Sequence, residues 1–180
     1  MEDCKLVFPN LRNRERAIAF IDEFRMYHSE INGSGGLDRY LETSTYEAWL
    51  AKLYADMDIA NIPDNRVPAL TYFYVREADD EIVGMVNLRL ILNDFLKAEG
   101  GHIGYCVRPT ERRKHYATEM LNAALRVYDR LEIRDVLVSC DKSNIASAKV
   151  IENCGGILEA EFYSEAFKAV IQRYCIHREI

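Results

Sequence analysis

The thirteen residues Tyr105-Cys106-Val107-Arg108-Pro109-Thr110-Glu111-Arg112-Arg113-Lys114-His115-Tyr116-Ala117 hold the densest chemistry in the chain. They read as the end of a strand, a tight basic turn and the first turn of a long amphipathic helix. A helix leaves its first backbone N–H groups unpaired and carries a positive dipole end, so such a place can cradle a diphosphate. Arg112, Arg113 and Lys114 add positive charge where those amides would point. On these residues alone, a phosphorylated cofactor and a merely solvated charge cluster at a helix start are equally well served.

Positioning that turn requires a strand before it and a buried helix after it. Over His102 to Val107, alternation puts Ile103, Tyr105 and Val107 on one face and His102, Gly104 and Cys106 on the other. Ala117, Met120, Leu121, Ala124, Val127, Tyr128 and Leu131 then form a continuous apolar stripe, which predicts a helix packed hard on a sheet. Val136 to Val138 reads as a short buried strand running into Ser139-Cys140-Asp141. A second helix over Asn144–Asn153 is stopped by Gly155-Gly156. Strand, helix, strand implies a right-handed crossover between parallel strands.

Upstream, Lys5 to Phe8 is strand-like, and Ala17, Phe20, Ile21 and Phe24 recur at helical spacing within Leu11 to Tyr27. Asn32-Gly33-Ser34-Gly35-Gly36 breaks the pattern and is expected to be the most flexible stretch. Ser44-Thr45-Tyr46-Glu47 has capping-box spacing, with Tyr46, Trp49, Leu50, Leu53 and Met57 following on one face. Two helices joined by a glycine loop could wall or lid a substrate pocket, or simply pack. Ile62 to Pro68 is a turn-rich connector. Leu70 to Arg76 and Ile82 to Leu90 form a hairpin around a polar turn, with Gly84 at a bulge or close backbone approach. Ile157 to Tyr163 and Phe167 to Ile176 make a closing hairpin. No internal repeat or linker divides the chain, so residues 1–180 are expected to form one domain.

Composition narrows the partners. Lys plus Arg is 23 against 29 for Asp plus Glu, a net charge of −6, which argues against a nonspecific nucleic-acid binder. A basic turn on an acidic protein suits a small anionic cofactor instead. Cys4, Cys106, Cys140, Cys154 and Cys175 are odd in number and widely spaced without a Cys-x-x-Cys pair, which argues against a zinc site or a disulfide framework. They read as reduced thiols filling the core. With no signal-peptide pattern at Met1-Glu2-Asp3-Cys4-Lys5 and no apolar run near the roughly 20 residues of a membrane span, the chain is expected to be cytoplasmic and free of membrane.

The segment Arg112-Arg113-Lys114-His115-Tyr116-Ala117 resembles the cofactor-binding motif Arg/Gln-x-x-Gly-x-Gly/Ala of the GNAT superfamily of acetyl-CoA-dependent N-acyltransferases, with His115 in place of the middle glycine. Gly100-Gly101-His102-Ile103-Gly104-Tyr105 and Asp141-Lys142-Ser143-Asn144-Ile145-Ala146-Ser147 extend the resemblance, which is most like a group of poorly characterised bacterial acetyltransferases. It implies an α/β (α+β) fold: a mixed, mostly antiparallel sheet of six to seven strands flanked by about four helices. It implies acetyl-CoA as co-substrate, no metal, and transfer of the acetyl group to a primary amine of a small molecule or protein. The alternative is a noncatalytic acyl-CoA-binding or regulatory domain.

The resemblance also assigns roles. Backbone groups of Cys106 and Val107 would meet the pantetheine arm where two strands splay apart. The amides from Arg113 through Lys114, His115, Tyr116 and Ala117 to Thr118 would hold the pyrophosphate. Asn144 and Ser147 match positions that contact pantetheine or its water, although an asparagine at a helix start can equally be only a cap. The backbone N–H of Val107 or Cys106 would stabilise the oxyanion. His102, with Glu99 beside it, lies where some relatives keep the general base, and imidazole suits proton acceptance near neutrality. His102 could also merely fix a turn or fill a strand face. Many relatives carry a proton-donating tyrosine seven residues after the asparagine, and here that position is Ile151. Cys140 as a nucleophile lacks an evident activator. The acids Glu30, Asp38, Glu42, Glu47 and Asp56 near the glycine loop would favour a cationic acceptor. The apolar stretch Phe167 to Ile176 would suit a homodimer contact.

Overall fold

The computed structural model describes residues 3–57, 60, 62, 63 and 66–179, so part of the connector expected over residues 62–68 lies outside the described residues. Among the described residues, seven strands form two antiparallel sheets. The first has the order β1 (Cys4–Val7), β2 (Ala69–Arg76), β3 (Glu81–Arg89), β4 (Ile103–Val107). The second has the order β5 (Asp135–Asp141), β7 (Ala169–His177), β6 (Gly156–Ser164). Five α-helices among the described residues flank them: α1 (Arg14–Met26), α2 (Leu37–Thr43), α3 (Tyr46–Ala55), α4 (Tyr116–Arg130) and α5 (Ile145–Asn153). None of the described helices is long and apolar enough to cross a membrane.

Alternation along the strands builds two cores. Tyr74, Val86, Leu88 and Ile103 face α4 and α5, together with Val136, Val138, Tyr174 and Ile176 of the second sheet. Phe73, Val75, Met85 and Cys106 face α1, α2 and α3, where Phe20, Phe24, Leu37 and Trp49 are fully buried. The β2–β3 register slips between Tyr74↔Gly84 and Val75↔Ile82, leaving Val83 as the extra residue of a bulge. The slip reverses the alternation, so Ile82 joins the α1–α3 core while Val83 joins the other. Gly84 beside it lets α4 approach, because a Cβ there would sit 2.9 Å from Met120 Sδ and 3.0 Å from the Cys106 carbonyl.

α4 buries Tyr116, Met120, Leu121, Ala124, Leu125 and Tyr128, the stripe ending before Leu131, which is 44 % exposed. Other boundaries differ from expectation. α2 is a seven-residue helix, too short to show a period. The cap of α3 is Thr45, whose hydroxyl accepts from the Ala48 N–H at 3.1 Å, rather than Ser44. Met57 lies past the end of α3 and is exposed.

The glycine loop is not loose. Gly33 packs directly on Gly104 of β4, Ser34 is buried, and the Gly35 carbonyl accepts from Trp49 Nε1 and Lys52 Nζ, each at 3.1 Å. The loop is therefore a fixed wall over β4. β7 is paired on both sides and has no free edge for a second copy, so the exposed apolar side chains Ile157, Leu158, Tyr163 and Phe167 lie on β6 and the hairpin turn.

Candidate functional site

β4 and β5 are consecutive strands around α4, yet among the described residues no ladder joins them. They meet at one end only, where the His102 N–H donates to the Leu137 carbonyl at 2.6 Å. From there the strands diverge towards Cys106 and Val107 on one side and Cys140 and Asp141 on the other. A gap between two sheets with unpaired strand edges is where an extended chain of amides can hydrogen-bond.

The basic turn closes one mouth of this gap. Arg112 has extended backbone, Arg113 has φ +67°, and His115, the N-cap of α4, has φ +67° and ψ 0°. Positive φ at Arg113 and His115, with Lys114 between them, is the alternation that turns successive N–H groups to one side and makes an anion-binding concavity. The first helical bond of α4 runs from the Glu119 N–H to the His115 carbonyl at 3.2 Å, so the amides of Ala117 and Thr118 have no intrahelical acceptor.

The three basic side chains divide their work. Arg112 is part of the frame: its guanidinium donates to the Val107 carbonyl at 3.2 Å and to Ser29 Oγ at 2.6 Å, and lies 5.6 Å from the Phe24 ring centroid. Lys114 pairs with Glu111 at 2.9 Å, and Glu111 pairs with Arg76 at 3.1 Å. Among the described residues Arg113 has no ion-pair partner, which leaves it as the cation available to a ligand. Behind the turn, Glu23 of α1 accepts from the Thr110 N–H at 2.9 Å and the Thr110 hydroxyl at 2.8 Å. Buried Arg108 lies between Glu23 and Glu81; its Nε is 2.9 Å from Glu23, close enough for an ion pair although off the line of a hydrogen bond. Glu23, Arg76, Arg108 and Ser29 escape a sequence reading as framing residues because their partners lie dozens of residues away.

His115 occupies the motif's glycine position in the left-handed conformation that glycine adopts freely, at a cost to an L side chain of about 1–2 kcal/mol. His115→Gly is expected to tighten binding of a diphosphate ligand several-fold with no loss of thermal stability. Calorimetry and thermal melts of the two proteins check this, and weaker binding by the glycine variant would contradict it.

Asn144 caps α5: its Oδ1 accepts from the Ser147 N–H at 3.1 Å, and the residue is solvent-exposed. The cap leaves its amide N–H₂ available. Ile151 is fully buried in the α4–α5 core. The hydroxyl that faces the gap is Tyr105, whose Oη lies 2.8 Å from Ser147 Oγ and so bridges β4 to α5 across the gap. Burial holds the Tyr105 phenol well above its ordinary value, and the Ser147 contact only partly offsets this, so the phenol stays protonated. The only sequence signal for this role was the strand parity that put Tyr105 beside Ile103 and Val107. Burial pushes the Cys140 thiol up to about 11 and the Cys106 thiol up to about 12, and neither has a histidine activator. None of the five cysteines is in a disulfide.

His102 is buried at the closed end of the gap. Its Nδ1 accepts from the Leu137 N–H at 3.0 Å, its carbonyl accepts from the Tyr128 hydroxyl at 3.0 Å, and its ring meets the Tyr128 ring edge-on. With Nδ1 so engaged, the neutral ring carries its proton on Nε2 and has no lone pair left for an amine. Burial, helped by the Arg89 charge, lowers its pKa from 6.5 to about 4. Between those values the unfolded chain takes up a proton that the folded chain refuses, so stability is full above pH 6.5 and falls as pH drops towards 4. The loss reaches about 2–3 kcal/mol. His102→Asn, which can still accept from Leu137, should flatten the acid limb of a denaturation series relative to wild type. An unchanged limb would contradict this account. Glu99 instead accepts from Ser164 Oγ at 2.5 Å.

The acids near the wall are mostly neutralised. Glu47 pairs with Arg14 at 3.4 Å, Glu42 with Arg25 at 3.7 Å, Asp56 with Lys52, and Asp38 accepts from Ser34 Oγ at 2.5 Å. Asp38, whose partner is a neutral hydroxyl, and Glu30 have no ion-pair partner among the described residues. The case for a cationic acceptor therefore rests on Glu30 and Asp38 alone.

A family model described as an acetyltransferase (GNAT) domain matches residues 22–157. Among solved structures, the chain is similar to the microcin C7 self-immunity acetyltransferase in complex with acetyl-CoA and AMP, at 18 % identity over 99 % of this chain and 94 % of that one, with a TM-score of 0.70. It is similar to the ribosomal L7/L12 α-N-protein acetyltransferase in complex with CoA, at 14 % identity, 97 % and 93 % coverage and a TM-score of 0.69. The ribosomal-protein-S5-alanine acetyltransferase from Vibrio fischeri gives 14 % identity, 98 % and 94 % coverage and a TM-score of 0.68. These likenesses are of fold. No curated protein matches the chain in sequence.

Proposed function

Because the chain belongs to the GNAT acetyltransferase family, we propose that it is an enzyme that moves an acetyl group from acetyl-CoA to a primary amine by direct attack. The observation that carries this reading is the gap between β4 and β5, bridged at His102 and Leu137 and flanked by the amides of the basic turn. The pyrophosphate lies against the amides of residues 113–118 with the Arg113 guanidinium over it. The pantetheine arm runs along the backbone of Cys106 and Val107, with the Asn144 amide on its other side.

In this reading the neutral amine forms its N–C bond at the thioester carbon, and the oxygen takes up the charge at the Val107 or Cys106 N–H. The intermediate, whose nitrogen now carries a positive charge, gives its extra proton to solvent and expels the CoA thiolate as the C–S bond breaks, leaving the neutral amide. With the Tyr105 hydroxyl as hydrogen-bond donor to Ser147 Oγ, the serine O–H is free to turn towards the departing sulfur and stabilise it with a charge-assisted hydrogen bond. This pair does the work that Ile151 cannot do. The amine reaches the thioester after losing its proton to solvent, since His102 is engaged with Leu137 and Glu99 with Ser164. Protonated thiols at Cys140 and Cys106 favour direct attack over an acyl-cysteine route.

Release of free CoA thiol from acetyl-CoA, measured with a polyamine, free amino acids and an N-terminal peptide as acceptors, tests the proposal. Amine-dependent release identifies the enzyme and its acceptor class. Tight acetyl-CoA binding without release for any amine would overturn turnover in favour of a noncatalytic acyl-CoA-binding domain. The rate constant kcat/KM should rise with pH up to the acceptor's own pKa, without an inflection from His102.

A further inference from the structure

Away from the cofactor gap, at the start of β5, the pairing of β5 with β7 sets Asp135 opposite His177, and Leu137 opposite Cys175. Alternation puts Cys175 and His177 on the same face of β7. Asp135, Cys175 and His177 each offer a donor atom, and these atoms all lie within 4.8 Å of one another. His177 Nδ1 is 2.7 Å from Asp135 Oδ1 and 3.8 Å from Cys175 Sγ.

Both neighbours face the same ring nitrogen. A nucleophilic relay needs the carboxylate and the thiol on opposite nitrogens of the imidazole, so this is not a Cys–His–Asp triad. Three different donors converging on one point is instead the arrangement of ligands around a single cation. Tetrahedral zinc with these donors holds them about 3.3–3.8 Å apart, so the sulfur–nitrogen distance already fits and the carboxylate oxygen has to move off the ring nitrogen by less than about 1 Å. Cys175 is 2 % exposed and anchors the floor, whereas the Asp135 and His177 side chains are 70 % and 59 % exposed and leave an approach from solvent. Glu159 lines the same cleft but pairs with Arg173 at 3.8 Å, and Lys97 lines it too, so the fourth position around the ion falls to water.

We propose that Asp135, Cys175 and His177 form a binding site for one zinc ion that ties the end of β7 to the start of β5. The soft thiolate and imidazole select zinc over magnesium or calcium, which take oxygen ligands. Binding releases the thiol proton to solvent, so affinity falls at low pH. The spacing of the cysteines gives no hint of this site, because its donors come together only through strand pairing across some forty residues.

Cobalt(II) is the probe, since it takes the same ligands and reports on them optically. Titration of the full chain should give one cobalt per chain, a thiolate-to-metal charge-transfer band in the near ultraviolet, and full displacement by zinc. Cys175→Ser should abolish the band, and Asp135→Asn should weaken binding at least about tenfold. Circular dichroism of the metal-free variants confirms that each is folded. Because β7 is central in its sheet, His177→Gln near its end provides a milder second test of the ligand set. A wild-type protein that shows no charge-transfer band, or a band unchanged in folded Cys175→Ser, would overturn the site. Neither result bears on acetyl transfer, whose machinery lies elsewhere.

Discussion

Gly33→Ala is expected to destabilise the fold by about 3 kcal/mol or more, lowering the melting temperature by roughly 6–12 °C at this chain length. Gly33 has φ +74°, and a Cβ there would overlap the Gly104 carbonyl and sit 2.6 Å from Tyr105 Cα. The obstacle is backbone on both sides, so no side chain can move to make room. The loop would have to leave β4, taking with it the Ser29 contact that steadies Arg112. Gly36→Ala is the control: its φ of +86° carries the same left-handed cost, about 1–2 kcal/mol, but nothing lies within 4 Å. Paired thermal melts separate close packing from backbone conformation. Equal losses in the two variants would mean that the wall is not held as described.

The second large effect is on rate. Ser147→Ala should lower kcat by about ten- to a hundredfold with little change in KM for acetyl-CoA, because the lost hydrogen bond forms fully only as sulfur acquires charge. Tyr105→Phe should give a smaller loss, since the serine hydroxyl remains but is no longer steered. In the double variant the two losses should not add, as expected of groups acting as a unit. Steady-state kinetics on all three proteins checks this, and an unchanged kcat in Ser147→Ala would remove the pair from the mechanism.

Much of this was legible in the chain. The alternation in residues 102–107 and the stripe along α4 are local signals set by burial, and both appear with the expected faces. The bulge or close approach foreseen at Gly84 is both. What escaped notice depends on contacts between distant segments. A glycine-rich run reads as flexible until Gly104 is seen against it. Acids near the wall read as a cationic trap until Arg14, Arg25 and Lys52 are seen beside them. Tyr105 and Ser147 lie forty-two residues apart, and only the geometry of the gap makes them partners. His102 shows how one residue type fits two roles: a titratable imidazole near a cleft suggests a base, yet its donor from Leu137 makes it a bridge.

The most direct test is calorimetric titration of wild type and Arg113→Ala with acetyl-CoA, CoA and desulfo-CoA, with thermal melts in parallel. A ligand that binds only the folded chain must also raise its melting temperature. The account predicts one site per chain for all three ligands, stabilisation by each, and weakening of each by about tenfold in Arg113→Ala through the lost contact with the pyrophosphate. Absence of heat and of stabilisation with all three ligands would contradict it, because the gap between β4 and β5 would then not be a coenzyme A site.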